Sequence, residues 1–509
     1  KSESGKLKTA LINKLFSPAS EYCAPALGLH ICPRQLRTIF IFLDSSMTHA
    51  SYKKELVFTQ ASLVVTATAT ALLIWSTGMV AKTAFDEGHI GHLLEALLFG
   101  ALAGFLVYGN LCYQMARLGQ LKRDAAFRMA TPQPTTSFTP ESAPALTVLV
   151  PSYKEELSVI RQTLLSAALQ NYPNKRVVLL LDDPPAPKTP ADRAGLWAAR
   201  NLPFELQALM SEPATKLAHA HAAFQARRSS GMLTLADECV RLSDSFRLAA
   251  QWFETQAKHL PTDTHTDVWF AEQILNLPAE FCREQSARWF TDRRESASAS
   301  SEQLLADIDA AYAELAARFH AEFDVFERKQ YCNLSHEPNK AMNLNSYLGL
   351  MGTRVRPVMR QTGLALEETS VLNGSRLIPN TPYVITLDAD SLLKPHYAST
   401  LVRLMEQPAY ARVAVAQTPY SAFPNAPGRL ERTAGATTDI QYLVHQGFTY
   451  FGATFWVGAN ALLRKSALEE ICSESIEGGH IVRRYIQDRT VIEDTESTVD
   501  LLAKGWALH

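Results

Sequence analysis

At 509 residues the chain is too long for one ordinary domain, and two to four folded units are expected. Its 49 basic and 51 acidic side chains nearly cancel, which excludes the broad positive field of a nucleic-acid binder. Charged residues at 20% and apolar residues at 47% fit a soluble domain with a short membrane portion, not a polytopic transporter.

Residues 1–54 are read as an N-terminal cytosolic or interfacial segment. The first long apolar run starts only after about fifty residues, so no cleavable secretory signal is expected at the start. Within this segment Leu36 to Asp44 (LRTIFIFLD) is too short to span a bilayer, leaving an interfacial helix or a core strand. Two long apolar stretches follow, about Leu56 to Val80 and Ile90 to Cys112, each long enough as a helix to cross a hydrocarbon core of about 30 Å. A buried helical hairpin is the other reading. Flanking charge favours a transmembrane pair over residues 55–115. Lys53 and Lys54 precede the first stretch, Arg117, Lys122 and Arg123 follow the second, and the connector carries Asp86 and Glu87 with only Lys82. By the positive-inside tendency both ends are cytosolic, and so is everything after Leu121.

Residues 116–145 are expected to be a linker, rich in Pro, Thr and Ser from Met129 onward. Then Leu146 to Val150 (LTVLV) and Arg176 to Leu181 (RVVLLL) read as buried parallel strands around a helix from Glu156 to about Gln170. Strand, helix, strand with acids at the carboxyl end opens an α/β sheet, where ligands bind at strand ends. Residues 184–330, rich in Ala, Glu and Arg, read as a helical insertion, with Ser301 to Phe319 as one helix. The sheet resumes at Tyr383 to Leu387 (YVITL) and Val413 to Gln417 (VAVAQ). The seven cysteines (Cys23, Cys32, Cys112, Cys239, Cys282, Cys332, Cys472) show no CxxC spacing and read as reduced structural thiols.

Four constellations carry chemistry. Asp388-Ala389-Asp390 directly follows a buried strand, so two carboxylates can converge on one hard cation such as Mg²⁺ or Mn²⁺. Glu493-Asp494 precedes an apolar helical pattern running to Gly505-Trp506. A carboxylate there can serve as a general base or simply as a first-turn acid of the helix. In Pro338 to Asn345, Lys340 offers a charge for a diphosphate, and Asn343 and Asn345 offer hydrogen bonds to hydroxyls; the same run suits a helix start. In Phe455 to Ala461, Gly458 permits close backbone approach, and the aromatics suit a sugar surface or an apolar core turn. Asn333-Leu334-Ser335 and Asn373-Gly374-Ser375 match the glycosylation pattern but are discounted on the expected cytosolic topology.

The order of the blocks carries a resemblance. Val150 to Glu156 (VPSYKEE), Leu181-Asp182-Asp183, Lys340 to Asn345, Asp388 to Asp390, Gln417 to Tyr420 (QTPY), Gly458 to Ala461, and Glu493-Asp494 through Gly505-Trp506 follow one another. This resembles the family 2 glycosyltransferases. Within them it is most similar to the processive membrane synthases of the bacterial cellulose synthase type, with hyaluronan and chitin synthases more distant.

The resemblance implies an α/β, nucleotide-sugar-binding (GT-A, Rossmann-like) mixed sheet over 146–509, with a helical insertion and two preceding transmembrane helices. It implies that Tyr153 and Glu155, with Asp182 or Asp183, hold the uracil and ribose of a UDP-sugar. Lys340, with Asn343, Asn345 and Asp388, would line the rest of the donor site. Asp388 and Asp390 would bind the metal, Asp494 with Glu493 would form the catalytic pair, and Gln417, Trp456, Gly458 and Asn460 would face the acceptor. The implied activity is inverting transfer, glucose being the expected sugar, onto a growing β-glycan at the cytosolic face of a cell membrane, a bacterial inner membrane by the likeness. Membrane lipid and further synthase or export subunits are the implied partners. A non-processive transferase acting on a lipid carrier or short glycan is the alternative. The chain departs from the family pattern at Pro184-Pro185, Met342 and Ile492, and in the long spacing between Asp183 and Lys340. The Gln-x-x-Arg-Trp motif is expected after Trp506, so processivity and export rest on likeness alone.

Overall fold

The computed structural model describes residues 49–129, 138, 142–292 and 301–509. The interfacial element expected at 36–44, Cys23, Cys32 and most of the Pro/Thr/Ser-rich stretch lie outside the described residues. The described residues fall into two compact units, divided between Gln114 and Met115.

The first unit contains α1 (His49–Asp86) and the opening of α2 (Ile90–Met129), joined by a turn at Gly88 with φ of 73°. At 38 and 40 residues they measure about 57 and 60 Å, and both are long and apolar enough to cross a membrane. Val64, Ile74, Trp75, Leu97, Phe105 and Leu106 are each more than half exposed, an apolar surface that asks for a cover. The threonines that dilute the first apolar stretch satisfy themselves. Thr59, Thr68 and Thr70 donate to the carbonyls of Glu55, Val64 and Thr66 one turn back. Between the helices, Gln114 Nε2 donates to Thr66 Oγ1 at 2.7 Å.

α2 runs beyond the expected boundary. Residues 116–129, placed in the linker by sequence, remain helical because Ala, Leu, Gln, Lys and Arg dominate and no proline intervenes before Pro132. This end of α2 packs against a later helix through Gly119, where a Cβ would meet the Gly447 carbonyl oxygen at 2.6 Å.

The second unit is built on a seven-stranded mixed sheet. β1 (Leu146–Ser152), α3 (Leu157–Ala168) and β2 (Lys175–Leu181) form the expected opening. Next come α4 (Pro190–Ser229), α5 (Leu235–His259), α6 (His265–Phe270), a π-turn at Ala271–Asn276, α7 (Leu277–Asp292) and α8 (Ser301–Phe319). β3 (Glu322–Phe326) then pairs parallel with β2. That strand lies inside the span read as helical. Only five residues long (EFDVF), it is masked by the helix-forming composition around it. α9 (Lys340–Leu348), β4 (Arg354–Arg360), β5 (Gly363–Glu368) and β6 (Arg376–Leu377) lead to β7 (Tyr383–Leu387). α10 (Tyr397–Met405), β8 (Val413–Ala416), α11 (Arg429–Tyr450), β9 (Asn460–Arg464) and α12 (Lys465–Glu470) follow. The hairpin β10 (Ser473–Glu477) and β11 (His480–Arg484), α13 (Glu493–Ala503) and β12 (Ala507–Leu508) close the chain.

The strand order is β12-β8-β9-β7-β1-β2-β3, with β9 antiparallel to β7 and β8. Both faces are covered, as continuous apolar strands require. Val148, Val150, Val177 and Leu179 point to one side and join Leu196, Leu202, Leu206 and Phe224 of α4 in a single core. The insertion is therefore a layer on the sheet rather than a separate domain. Leu149, Val178, Leu180 and Val384 point to the other side, onto Leu344 of α9, Leu468 of α12 and Leu501 of α13.

Candidate active site

The chain runs outward from β1 to β2 and β3, then crosses to β7 on the other side of β1. Such a reversal leaves a crevice at the carboxyl ends of the strands. A cavity of about 410 Å³ opens there, lined by Ser152 at the end of β1, Tyr153 and Glu155 after it, Asp182 after β2, Asn339 capping α9, Lys340 and Asn343 of α9, and Asp388 and Asp390 after β7. Three loops and one helix N-terminus, far apart in sequence, thus meet in one place.

On the β2 side Asp182 is buried and anchored. Its carboxylate accepts from Arg328 Nε at 2.8 Å and from Lys329 Nζ at 3.0 Å. Arg328, itself fully buried, donates its remaining groups to the carbonyls of Ser335 and Glu337. The insertion braces the same point, since Arg200 of α4 grips both oxygens of Glu327 at 2.6 and 2.7 Å. Arg328 and Lys329 escaped the sequence reading. The available signal was the adjacent basic pair two residues beyond an alternating five-residue strand. Asp183 accepts from the Lys154 amide at 3.4 Å, and Lys154 takes a φ of 55° to turn the first loop toward it. Partial burial raises the Asp183 carboxyl above its usual range. Tyr153 is exposed, and Lys329 Nζ lies 5.8 Å from the centre of its ring.

On the β7 side the carboxylates outnumber the cations. Asp388 pairs with Lys340 Nζ, which also donates to the Gly458 carbonyl at 2.7 Å. The Gly458 amide donates to Asp494 Oδ2 at 2.5 Å, and the Thr495 amide donates to Asp494 Oδ1 at 2.7 Å. One chain of contacts therefore joins the end of β7, the start of α9, the loop before β9 and the first turn of α13. Gly458 is required for this approach, because a Cβ would lie 2.9 Å from Asp494 Oδ2. Burial raises the Asp388 carboxyl, Lys340 opposes the shift, and Asp390 and Glu493 add to it. Burial and the negative charge of Asp390 raise Glu155 as well.

The remaining expected residues take other places. Asn345 leaves the donor set. Its amide donates to the Ile486 carbonyl and accepts from the amides of Tyr485 and Ile486, so it ties α9 to the strand end before α13. Asn343 donates to the Leu180 carbonyl at 2.9 Å, while its buried Oδ1 has no protein partner and borders the cavity. Trp456 is 2% exposed and belongs to the core, which removes it from an acceptor surface. Its aromatic surface is worth more packed than wetted. Gln417 brackets the loop, accepting from the Val457 amide at 2.9 Å and donating to the Phe455 carbonyl at 2.7 Å. Asn460 begins β9 and is buried beside Leu387, outside the cavity.

Among the described residues no group of three or more His, Cys, Asp or Glu side chains is arranged to enclose a metal ion. Asp388 and Asp390 alone form a partial, all-oxygen set at the mouth of a cavity with excess negative charge. That suits a hard cation completing its shell with water and substrate phosphates.

No curated protein matches the chain. Residues 383–509, from β7 to the end of the sheet, match the model of the family described as Glycosyl transferase family group 2, which supports a family 2 glycosyltransferase carrying Asp388, Gly458 and Asp494 in that stretch.

Proposed function

We propose that the protein is a membrane-anchored, inverting transferase that moves a sugar, glucose by expectation, from a UDP-sugar onto a hydroxyl of a growing β-glycan. In this reading Tyr153, Glu155, Asp182 and Asp183 border the nucleoside end of the donor, and Lys340 faces its diphosphate. The acceptor hydroxyl gives its proton to Asp494, and its oxygen attacks the anomeric carbon from the face opposite the diphosphate. The bond from that carbon to the diphosphate oxygen breaks, and UDP leaves with the electron pair. Glu493 stands beside the base and reinforces the negative field around Asp388. Asp388 and Asp390 would hold Mg²⁺ or Mn²⁺, which when bound offsets the diphosphate charge as it departs. α1 and α2 are the anchor, with lipid covering their apolar surface, and the second unit lies on the cytosolic side. Processive synthesis with further export subunits completes the proposal.

The contact chain Asp388–Lys340–Gly458–Asp494 is the observation that carries this reading, because it holds a candidate metal carboxylate and a candidate base in one rigid frame. The test is UDP release by the full-length protein in membranes, given several UDP-sugars with Mg²⁺ or Mn²⁺, followed by linkage analysis of the product. Asp494→Asn is expected to lower the rate by about 10²–10⁴-fold. A wild-type rate in that variant, or turnover indifferent to EDTA, would remove the base or the metal respectively.

A further inference from the structure

A second cavity, of about 480 Å³, meets the first at Asp390. One wall comes from the insertion, through His265 and Thr266 of α6. The facing wall comes from the segment after β8 and from α11, through Tyr420, Phe423 and Thr438. Its size lies within the range of small-ligand sites.

We propose that this cavity seats the uncharged sugar units of the acceptor, so that the helical insertion selects what the enzyme extends; the inference rests on the transferase reading above. The lining decides the class of ligand. Among the described residues it holds imidazole, hydroxyl and phenyl side chains but no Lys or Arg, and Asp390 and Glu431 are its acidic groups. Glu431 is already committed to the Gly428 amide at 3.0 Å. Apart from Asp390, assigned above to the metal, a phosphate or a uronate would meet the Glu431 carboxylate and no basic side chain among the described residues. A neutral sugar would find hydrogen-bonding groups at its edges and an aromatic ring for its C–H face.

The walls are held firmly. Thr264 and Asp267 cap α6 reciprocally, and Gln162 of α3 donates to Asp267 Oδ1 at 2.6 Å. Trp269 meets Phe423 edge-on with ring centres 5.4 Å apart, joining the insertion to the opposite wall. Thr163 of α3 donates to the Ala389 carbonyl at 2.6 Å, fixing the acidic loop where the two cavities join. A sugar seated here has its end at Asp390, the rim of the donor cavity.

The test uses full-length protein in membranes, the UDP-sugar selected above, and a β-linked glucose tetrasaccharide as acceptor. His265→Ala is expected to raise the acceptor KM about tenfold, the worth of one lost hydrogen bond, while the donor KM moves less than twofold. His265→Gln, which keeps a hydrogen-bonding edge, recovers most of that affinity. Lys216→Ala, exposed on α4, leaves both constants alone. An unshifted acceptor KM in both His265→Ala and Phe423→Ala overturns the inference but leaves the transferase reading intact. A donor KM that rises as much as the acceptor KM overturns it too, as does wild-type preference for a polyprenyl phosphate over the tetrasaccharide. Absence of UDP release from every UDP-sugar overturns both readings together.

Discussion

Asp182 and Asp388 occupy equivalent places, each the first residue after a parallel strand beside β1, yet their surroundings differ in charge. Asp182 is held by Arg328 and Lys329. Asp388 shares a single Lys340 with the pull of Asp390 and Glu493 against it. The first is a finished structural node, the second a site short of positive charge. Position at a strand end therefore makes a carboxylate available at the cavity, and the cations around it decide whether its charge is already met by the protein or is left for a bound cation.

The largest effect is expected from breaking the finished node. Arg328→Ala leaves a buried carboxylate short of its main partner and should cost about 3–5 kcal/mol, read from denaturant unfolding of the second unit's signal. An unchanged midpoint would mean that Lys329 alone neutralises Asp182. On the charge-poor side, Asp390→Asn should raise the Mg²⁺ or Mn²⁺ needed for half-maximal UDP release by at least about tenfold. Arg200→Ala, which loosens only the brace at Glu327, should leave that requirement alone. An equal metal response in the two variants would erase the contrast between the nodes.

Gly458→Ala forces a methyl to within 2.9 Å of Asp494 Oδ2 and should cost about 1–3 kcal/mol, with a lower kcat more than a raised donor KM. The smallest effect sharpens the electrostatics. Asp388 and Glu155 bind protons more readily than ordinary carboxylates, so each becomes protonated earlier as pH falls. UDP release should therefore decline on the acid side at a pH above the usual carboxylate value of about 4. Asp390→Asn removes a like charge from both groups and should move that decline to lower pH.

Local patterns were legible in the sequence wherever one element supplied the whole signal. YVITL formed β7 at the expected residues, and Asp388 followed it because a buried apolar strand must end at polar residues when it reaches solvent. Ser301–Phe319 formed its helix for the same reason of periodicity. The site failed to be legible where its partners were distant. Nothing near Asp182 announces Arg328, which arrives only after the insertion has been laid on the sheet. The amides of Asn343 and Asn345 look equally suited to substrate from their spacing. They differ only because Tyr485, Ile486 and the end of β2 fold back onto one side of α9. Trp456 was similarly ambiguous, its ring suiting a sugar or a core until α12 and α13 buried it.

By itself the sequence determined the strands β1, β2, β7 and β8, the long apolar helices, the helical character of most of the insertion and the acidic residues at strand ends, because hydrophobic periodicity and backbone preference act over a few residues. Tertiary structure alone decided which carboxylates are neutralised, that the insertion shares the core of the sheet, and that its α6 walls a second cavity at Asp390. Charge compensation and cavity shape depend on groups that only the folded chain brings within a few ångströms of one another.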